Sequence, residues 1–427
     1  MIVSSSWRGK RYAVLGLART GVATVRALVA GGADVTAWDS NADRREGIEG
    51  ATIADLDTID LARFDALVVS PGVPLNTHPL AAKARAAGVA ITGDIELFAE
   101  ARAELPPHKV VGITGTNGKS TTTALVTHIL KQAGIPALMG GNIGLPILAQ
   151  APLPAGGVYV LELSSYQIDL THSLDCDVAV LLNLTPDHLD RYDGFAGYAA
   201  SKARLFAMQS PAHEAVIGIG DVPSAEIARS LSARAEHLTK IAPGVCLDQS
   251  RWPSLQGPHN AQNALAAIAV AKVLGVDEAT IDRALESFAG LPHRMEKVGE
   301  VHGVAYVDDS KATNPESTAP ALGAFPRVHW IVGGRAKGDD LDACRPWFDH
   351  VVRAYTIGEA GARFAAILRD VMPVEEAGTL ATAVERAAQA AQPGETVLLS
   401  PAAASFDQFR DYEHRGQAFR DAVGALA

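Results

Sequence analysis

Short apolar runs of strand length alternate with helical patterns along this chain, and no other feature constrains its fold as strongly. Tyr12–Gly16 is predicted to be a strand, Gly21–Ala30 a helix and Asp34–Trp38 a second strand. Such alternation is typical of parallel sheets with helices on both faces. Because 427 residues are too many for one core, several α/β domains of this kind are expected.

Two breaks that contain proline, Leu105–Pro107 and Gly290–Pro292, separate three segments of this alternation. We therefore predict three domains, at residues 1–107, 108–290 and 291–427, each with a largely parallel sheet and flanking helices. The other predicted strands are Ala66–Ser70, Lys109–Thr114, Val158–Leu163, Val178–Leu182, Val304–Val307, Val328–Val332, Arg353–Ile357 and Thr396–Leu399. Two further predicted helices are Asn260–Leu274 and Glu278–Phe288.

The composition argues against several classes of protein. The net charge is −11 and no stretch is dense in Lys or Arg, so nucleic-acid binding is not expected. The three cysteines lie far apart without a CxxC pair, which argues against a zinc ribbon or a disulfide framework. The apolar stretch Val14–Ala33 contains Arg19 and Arg26, so neither a signal peptide nor a membrane span is predicted. The cytoplasm is the expected location.

The segment Thr114–Ser120, with the sequence TGTNGKS, lies between a predicted strand and a predicted helix. In that context the glycines let backbone N–H groups face a phosphate chain, while Lys119 adds a charge and the Ser120 hydroxyl can ligate Mg²⁺. Ile113 stands where the usual loop has a glycine, and a chance glycine-rich turn is the alternative. The flanking strand and helix favour phosphate binding. The predicted ATP-binding residues here are Gly115, Thr116, Asn117, Gly118, Lys119, Ser120 and Thr121.

Three side chains of the middle segment stand out by their positions in the sequence. Glu162 lies at the carboxyl end of a predicted strand, which faces the ligand crevice in parallel sheets, and its oxygens suit Mg²⁺. His188 also follows a strand, but alone it is more often a hydrogen-bonded loop residue than a Mg²⁺ ligand. Lys202 falls on the apolar stripe of a predicted helix, where it is either a lysine snorkelling from a core edge or a desolvated amine.

Turns after strands predict ligand sites in the outer two segments as well. Gly16–Gly21 approximates the dinucleotide-binding pattern, with Ala18 at the second glycine and Asp39 near the position of a ribose-binding acid. Taken alone, this pattern is consistent with an NAD-dependent oxidoreductase. In the last segment, three polar loops follow predicted strands, and they are Asp309–Pro315, Gly333–Lys337 and Ser400–Phe409.

The phosphate loop, with further motifs from Gly16 to Arg415, resembles the Mur ligases and folylpolyglutamate synthases. These enzymes join a carboxylate to an amino acid through an acyl phosphate made from ATP. The Ser400–Phe409 loop is similar to that of the members that add D-glutamate. The resemblance implies a cytoplasmic, monomeric ligase of peptidoglycan synthesis that uses ATP, D-glutamate and UDP-N-acetylmuramoyl-L-alanine. It also implies a Rossmann-like UDP-substrate domain, a P-loop ATPase-like central domain and a Rossmann-like amino-acid domain.

The resemblance also implies roles for particular residues. Those implied to contact the UDP-linked substrate are Arg19, Thr20, Asp39, Ser40, Gly72 and Asn142. Those implied to contact ATP outside the loop are Asn260, Asn263, Arg294, Asp309 and Lys311. Those implied to contact D-glutamate are Thr313, Lys337, Ser405 and Tyr412. Catalysis is implied for Lys119, Glu162, His188 and Lys202. Two Mg²⁺ ions are implied. Their implied ligands are Ser120, Glu162, His188 and Lys202, and only Lys202 is implied to be carbamylated by carbon dioxide.

Other interpretations stay open on the sequence. A sister Mur ligase is the nearest, although the Asp-Asn-Pro-Arg loop usual in the diaminopimelate-adding members is absent, and folylpolyglutamate synthases lack a UDP-type domain. A nucleotide-dependent regulatory module would bind ATP without ligation, and an oxidoreductase would bind a nicotinamide cofactor. Two positions are also ambiguous: Asn41 departs from the basic residue of some family members, and Asn260 could serve as a helix N-cap.

Overall fold

The protein is described by a computed structural model, which covers residues 1–242, 244, 247–252, 254–336 and 338–426. The chain divides into two compact units. The first unit comprises Met1–Val245 and Gln262–Leu285, and the second unit comprises Cys246–Ala261 and Glu286–Ala427. The first unit contains two sheets and the second contains one, and the predicted α/β class is confirmed. The domain boundaries at residues 107 and 290 stay a prediction. No described helix is both long and apolar enough to cross a membrane.

The first sheet has five parallel strands. They are β1 (Arg11–Leu15), β2 (Asp34–Trp38), β3 (Thr52–Ile53), β4 (Ala66–Val69) and β5 (Ala90–Thr92). Its helices are α1 (Arg19–Ala30), α2 (Pro79–Ala86) and α3 (Asp94–Ala101). The strand order β3-β2-β1-β4-β5 reverses direction at β1, because the chain moves outward to β3 and then returns to the other side of β1. A crevice for ligands is therefore expected beyond the carboxyl ends of β1 and β4.

The second sheet has six parallel strands in the order β11-β10-β9-β6-β8-β7. The strands are β6 (His108–Thr114), β7 (Ala137–Gly141), β8 (Gly157–Glu162), β9 (Val178–Leu181), β10 (Glu214–Gly218) and β11 (Leu238–Ile241). The helices that follow them are α4 (Lys119–Gln132), α5 (Ser165–Asp169), α6 (Gly194–Ala207), α7 (Val222–Ser230), α8 (Pro258–Val273) and α9 (Glu278–Ser287). Every residue of β8 and β9 is buried, which explains their continuous apolar sequences. β6 lies between these two strands, so its carboxyl end opens at the centre of the sheet.

The third sheet also has six strands, and only β12 is antiparallel. The strands are β12 (Glu296–Val301), β13 (Val304–Asp308), β14 (Val328–Gly333), β15 (Val351–Ile357), β16 (Val374–Gly378) and β17 (Thr396–Leu399). The helices are α10 (Pro315–Gly323), α11 (Gly361–Leu368), α12 (Leu380–Ala390) and α13 (Tyr412–Gly424). In the order β12-β13-β17-β14-β15-β16, β17 lies between β13 and β14. The three polar loops predicted from the sequence thus follow three neighbouring strands.

Candidate active site

The loop between β6 and α4 has the geometry of a phosphate-binding loop. Gly118 precedes α4 with a φ of +85°, and a Cβ there would lie 2.2 Å from Oδ1 of Asn263, so only glycine fits. The Lys119 ammonium donates to the carbonyl oxygens of Gly115, at 2.9 Å, and Thr116, at 2.6 Å. No side chain caps the start of α4, whose N–H groups and helix dipole therefore favour an anion.

The loop after β9 holds the phosphate loop in place. The Thr116 N–H donates to the Asn183 carbonyl at 2.9 Å, and the Asn117 N–H donates to Asn183 Oδ1 at 2.9 Å. The Thr116 hydroxyl donates to the Thr185 carbonyl at 3.1 Å. The sequence analysis missed Asn183, and its only signal was an asparagine directly after a buried strand. The loop is therefore shaped before any nucleotide arrives.

The remaining predicted ATP-binding residues of the central segment lie in or beside helices. Ser120 and Thr121 belong to the first turn of α4, and Asn263 accepts a hydrogen bond from the Thr122 hydroxyl at 3.3 Å. Asn260 belongs to the second unit and donates to the carbonyl of Gln256 at 3.1 Å. The interpretation of Asn260 as the N-cap of α8 is wrong, because α8 begins two residues earlier, at Pro258.

Lys202 is buried on the inner face of α6, with only 1% of its surface exposed. Its ammonium lies 3.3 Å from the Thr114 hydroxyl and 4.9 Å from the centre of the Tyr198 ring. Burial, and next the charge of Lys119, lower the pKa of Lys202 well below its ordinary value, although nearby carboxylates oppose the shift. The snorkelling alternative is wrong, because the amine does not reach solvent. Burial at this position therefore favours the neutral form of the amine more than water does.

Glu162, the last residue of β8, is 2% exposed, and only one of its two carboxylate oxygens accepts a hydrogen bond. Its Oε1 accepts a hydrogen bond from the Asn142 amide at 2.8 Å, whereas Oε2 is buried and has no hydrogen-bond partner among the described residues. A buried carboxylate oxygen without a partner is costly, and a cation would relieve that cost. The donor chemistry thus fits Mg²⁺, which prefers oxygen ligands.

His188 follows β9 in a backbone conformation that is uncommon for residues other than glycine. Its φ is +54°, and its Nε2 lies 3.5 Å from Oδ2 of Asp187. Its ring lies beside that of Tyr166, with 5.1 Å between the ring centres. The structure does not group His188 and Glu162 in a three-ligand cluster within the part of the chain that it describes.

The one cluster of three potential metal ligands found among the described residues is His293, Glu296 and Asp308. Its ligand atoms are already paired, because His293 Nδ1 lies 2.7 Å from Asp308 Oδ2 and Glu296 Oε1 accepts from Arg420 at 2.7 Å. The hydrogen bond to Asp308 raises the pKa of His293 above its ordinary value. This network fixes the turn that carries Arg294, and nothing in it calls for a metal.

The six residues predicted to contact the UDP-linked substrate line one cavity of about 710 Å³ in the first unit. They are Arg19, Thr20, Asp39, Ser40, Gly72 and Asn142. The cavity opens at the carboxyl ends of β1 and β4, where the strand order predicts a ligand crevice. Trp38, Arg44 and His78 also line it, and the sequence analysis missed them because no motif contains them. Their contact with substrate, like that of the six, stays a prediction.

Asp39 organises one wall of this cavity. Its carboxylate accepts hydrogen bonds from the N–H groups of Leu17, at 2.7 Å, and Asn41, at 2.9 Å, and lies 3.5 Å from Arg44. Burial opposes ionisation of Asp39, but these hydrogen bonds and the Arg44 charge outweigh burial and hold its pKa below its ordinary value. Asn41 supplies no charge here, whereas Arg44 places a cation at the cavity that the sequence analysis did not anticipate.

The residues predicted to contact D-glutamate come from loops of the third sheet. Thr313 is half-buried after β13, and Ser405 is buried after β17. Tyr412 begins α13, and the Lys311 ammonium lies 3.7 Å from the centre of its ring. Lys337, predicted to bind a carboxylate of D-glutamate, lies outside the described residues.

Asp309 directly follows β13 and is buried in the second unit. It accepts hydrogen bonds from the Ser400 hydroxyl at 2.7 Å and from the Met295 N–H at 3.2 Å. Burial raises the pKa of Asp309 to about 7, although the hydrogen bond from Ser400 and the charge of Arg294 oppose the shift. A carboxylate that titrates near neutral pH is common at functional sites.

Three β-sheets flanked by helices, with a phosphate-binding type of loop at the centre of the second sheet, define a multidomain nucleotide-binding protein. Family models match the chain in three stretches. They are the Mur ligase MurD-like, N-terminal domain at residues 10–93, the Mur ligase middle domain at 113–244 and the Mur ligase, glutamate ligase domain at 293–403. The chain belongs to the Mur ligase family.

Relatives match over the full length of the chain. It is 66% identical to the UDP-N-acetylmuramoylalanine–D-glutamate ligase of Novosphingobium aromaticivorans, over 100% of this chain and 97% of that protein. It is 63% identical to the ligase of the same name from Sphingopyxis alaskensis, over 100% of both chains.

Solved structures share the fold at much lower identity. One is the UDP-N-acetylmuramate–alanine ligase of Thermotoga maritima, with a TM-score of 0.61, 18% identity and coverage of 98% of this chain and 100% of that one. Another is the MurF ligase of Thermotoga maritima in complex with ADP, with a TM-score of 0.61 and 16% identity. The match covers 100% of this chain and 98% of that one. At such identities these likenesses concern the fold alone.

Proposed function

We propose that this protein is an ATP-dependent ligase that adds D-glutamate to UDP-N-acetylmuramoyl-L-alanine during peptidoglycan synthesis. The observation that carries the proposal is the 66% identity, over the whole chain, to a relative named for this reaction. The cytoplasm, where such soluble precursors would be made, is the proposed location, and a monomer is the proposed state.

The reaction needs an activated carboxyl group, because a carboxylate is a poor acyl donor. The substrate carboxylate attacks the γ-phosphorus of ATP, the bond to ADP breaks and an acyl phosphate forms. The neutral amine of D-glutamate then attacks the acyl carbon, phosphate leaves from the tetrahedral intermediate, and the nitrogen gives up one proton. The first step depends on in-line placement and on neutralised phosphoryl oxygens. The charge of Lys119, its shaped loop and the cation of Arg294 are suited to that work.

The proposal includes two Mg²⁺ ions that neutralise phosphate oxygens when bound. The free Oε2 of Glu162 and the hydroxyl of Ser120 are suited to bind one ion, and His188 is suited to bind the other. Lys202 is proposed to be carbamylated: its neutral amine bonds to the carbon of carbon dioxide and loses a proton. The product is an anion that can face a cation, and the lowered pKa of the Lys202 amine supports this chemistry.

The proposal assigns the outer domains to the two acceptor substrates. The cavity at β1 and β4 receives the uridine diphosphate end, where α1 begins without a side-chain cap and Arg44 adds a charge. The loops with Thr313, Lys337 and Ser405 receive D-glutamate, whose two carboxylates match one cation and two hydroxyls. Residues 1–107, 108–290 and 291–427 remain the proposed domain limits.

The decisive test is the formation of ADP and phosphate by the purified protein with each substrate omitted in turn. We expect turnover only with ATP, Mg²⁺, UDP-N-acetylmuramoyl-L-alanine and D-glutamate together. Replacing D-glutamate with L-glutamate, L-alanine or L-lysine should abolish it. Turnover with another amino acid would indicate a sister ligase, and nucleotide binding without turnover would indicate a regulatory module.

A further inference from the structure

Arg415 is among the most deeply buried charged side chains of the described chain, with 1% of its surface exposed. It lies on α13, which is held in the core of the second unit by Phe419 and Val423. Burial lowers the pKa of Arg415 to about 10, although the carboxylates of nearby aspartates oppose the shift, so the side chain stays charged at neutral pH. A buried guanidinium is costly unless its N–H groups are hydrogen-bonded, and Nε and Nη2 are, whereas the buried Nη1 has no hydrogen-bond partner among the described residues.

The guanidinium bridges two of the three polar loops through hydrogen bonds. Its Nε donates to the Ser310 hydroxyl at 2.9 Å, and its Nη2 donates to the Ser310 carbonyl at 2.8 Å, in the loop after β13. The same Nη2 donates to the Ala403 carbonyl at 3.0 Å, in the loop after β17. Both loops also carry predicted D-glutamate contacts, namely Thr313 in the first and Ser405 in the second.

The third loop packs against the remaining edge of the guanidinium. A Cβ at Gly334, in the loop after β14, would lie 3.1 Å from Nη1 and 2.3 Å from the Ala404 carbonyl. Gly334 has a φ of +130°, which glycine adopts without strain. The neighbouring Arg335 exchanges two backbone hydrogen bonds with Ala404, at 2.8 and 2.9 Å, so the loops after β14 and β17 are joined directly.

We propose that Arg415 is a positioning residue that sets the spacing of the three loops and thereby the affinity for D-glutamate. This role rests on the proposed function and deepens it, because it concerns the binding of D-glutamate by the same loops. Since Arg415 is buried, it acts through Ser310, Ala403 and the backbone beside Gly334 rather than by touching the amino acid. Planar, multiple donation is specific to arginine, so lysine should not replace it.

The test measures the KM of each substrate for Arg415→Ala, Arg415→Lys and the control Arg386→Ala, an exposed arginine of α12. Misplaced contacts can cost up to about 100-fold, and we expect the D-glutamate KM to rise about tenfold or more in both Arg415 variants. The UDP-substrate KM should change by less than about twofold, and the ATP KM should rise by less than the D-glutamate KM, because Ser310 lies between the predicted ATP contacts Asp309 and Lys311. Guanidinium ions should partly restore the D-glutamate KM of Arg415→Ala, which a merely destabilised protein would not show.

An unchanged D-glutamate KM in a folded Arg415 variant, or equal rises in all three KM values, would overturn the proposal. Should Arg415→Ala fail to fold, Ser310→Ala decides the matter, because it removes the hydroxyl that joins the loop after β13 to α13: this hydroxyl accepts from Arg415 Nε at 2.9 Å and donates to the Tyr412 carbonyl at 2.8 Å. A rise of about threefold in its D-glutamate KM is expected, and no change would overturn the inference. Failure of the wild-type protein to turn over D-glutamate would instead refute the proposed function itself, so the two failures are distinguishable.

Discussion

The ammonium of Lys202 lies 3.3 Å from the hydroxyl of Thr114, the last residue of the strand that leads into the phosphate loop. That hydroxyl donates in turn to the carbonyl of Leu163 at 2.8 Å, one residue beyond Glu162. A buried amine of α6 is thus connected to the carboxyl ends of β6 and β8. A carbamate on Lys202 would form where the proposed metal ligand and the phosphate loop meet.

Replacing Lys119 should separate phosphate chemistry from substrate binding. Removing one charge that stabilises developing negative charge costs about 100-fold or more in rate, and we expect a loss of this size in ADP formation by Lys119→Ala. Binding of UDP-N-acetylmuramoyl-L-alanine, measured by calorimetry, should change by less than about twofold, because its cavity lies elsewhere in the unit. Lys131→Ala, an exposed lysine of the same helix, is the control. Unchanged turnover in Lys119→Ala would contradict the role of the loop.

Replacing Lys202 tests the carbamate. We expect Lys202→Ala to lose at least about 100-fold in kcat, because an anion proposed to face a metal disappears. Acetate or propionate should restore part of the activity by entering the space left by the side chain. Lys240→Ala, an exposed lysine, serves as the control for acid effects on the assay. A fully active Lys202→Ala enzyme, or one with no acid response, would speak against carbamylation.

Replacing Lys337 tests the amino-acid site. A charged hydrogen bond contributes about 1.5–3 kcal/mol, so Lys337→Ala should raise the D-glutamate KM roughly 10- to 100-fold. The ATP KM should change by less than about twofold, since this lysine is assigned to D-glutamate alone. Lys297→Ala, an exposed lysine that pairs with Glu300, is the control. Equal changes in the two KM values would argue against the assignment.

Asp309 should give the reaction a titration near neutral pH. Because burial raises its pKa to about 7, it is protonated below that pH and ionised above it. If the ionised form serves the nucleotide, kcat/KM for ATP should rise with pH through about 7, and Asp309→Asn should lose that rise. Ser400→Ala removes a hydrogen bond to the carboxylate, so it should move the rise to higher pH. Persistence of the rise in Asp309→Asn would assign it to another group.

Asp39 should stabilise the first unit in a pH-dependent way. The pKa of Asp39 is lower in the folded protein than in the unfolded chain, where it is about 3.8. Its contribution to the free energy of unfolding is therefore fully present above the unfolded pKa and is lost as the pH falls through the lower, folded pKa. We expect Asp39→Asn to lower the free energy of unfolding by about 1–3 kcal/mol at pH 7, with a smaller difference at pH 3. Denaturant titrations at both pH values measure this, with the exposed Asp43→Asn as control. A difference independent of pH would contradict the role of the charge.

Local patterns in the sequence were enough to locate the phosphate loop and the central strands. The predicted bounds of β2 and β17 are those that the structure shows. β17 is buried at every position and has a nearly continuous apolar sequence, whereas β2 alternates between buried and less buried positions. Edge strands escaped prediction for the converse reason: β7 contains two glycines, and β12 alternates polar residues at the border of its sheet.

The sequence by itself determined which residues could bind phosphate, metal and amino acid, because those depend on side-chain chemistry and on short turns after strands. Only the tertiary structure decided which of them meet. The placement of β17 between β13 and β14, the support of the phosphate loop by Asn183, the free oxygen of Glu162 and the bridge made by Arg415 all depend on contacts between residues far apart in the chain. Such contacts follow from packing and burial, which no local pattern encodes.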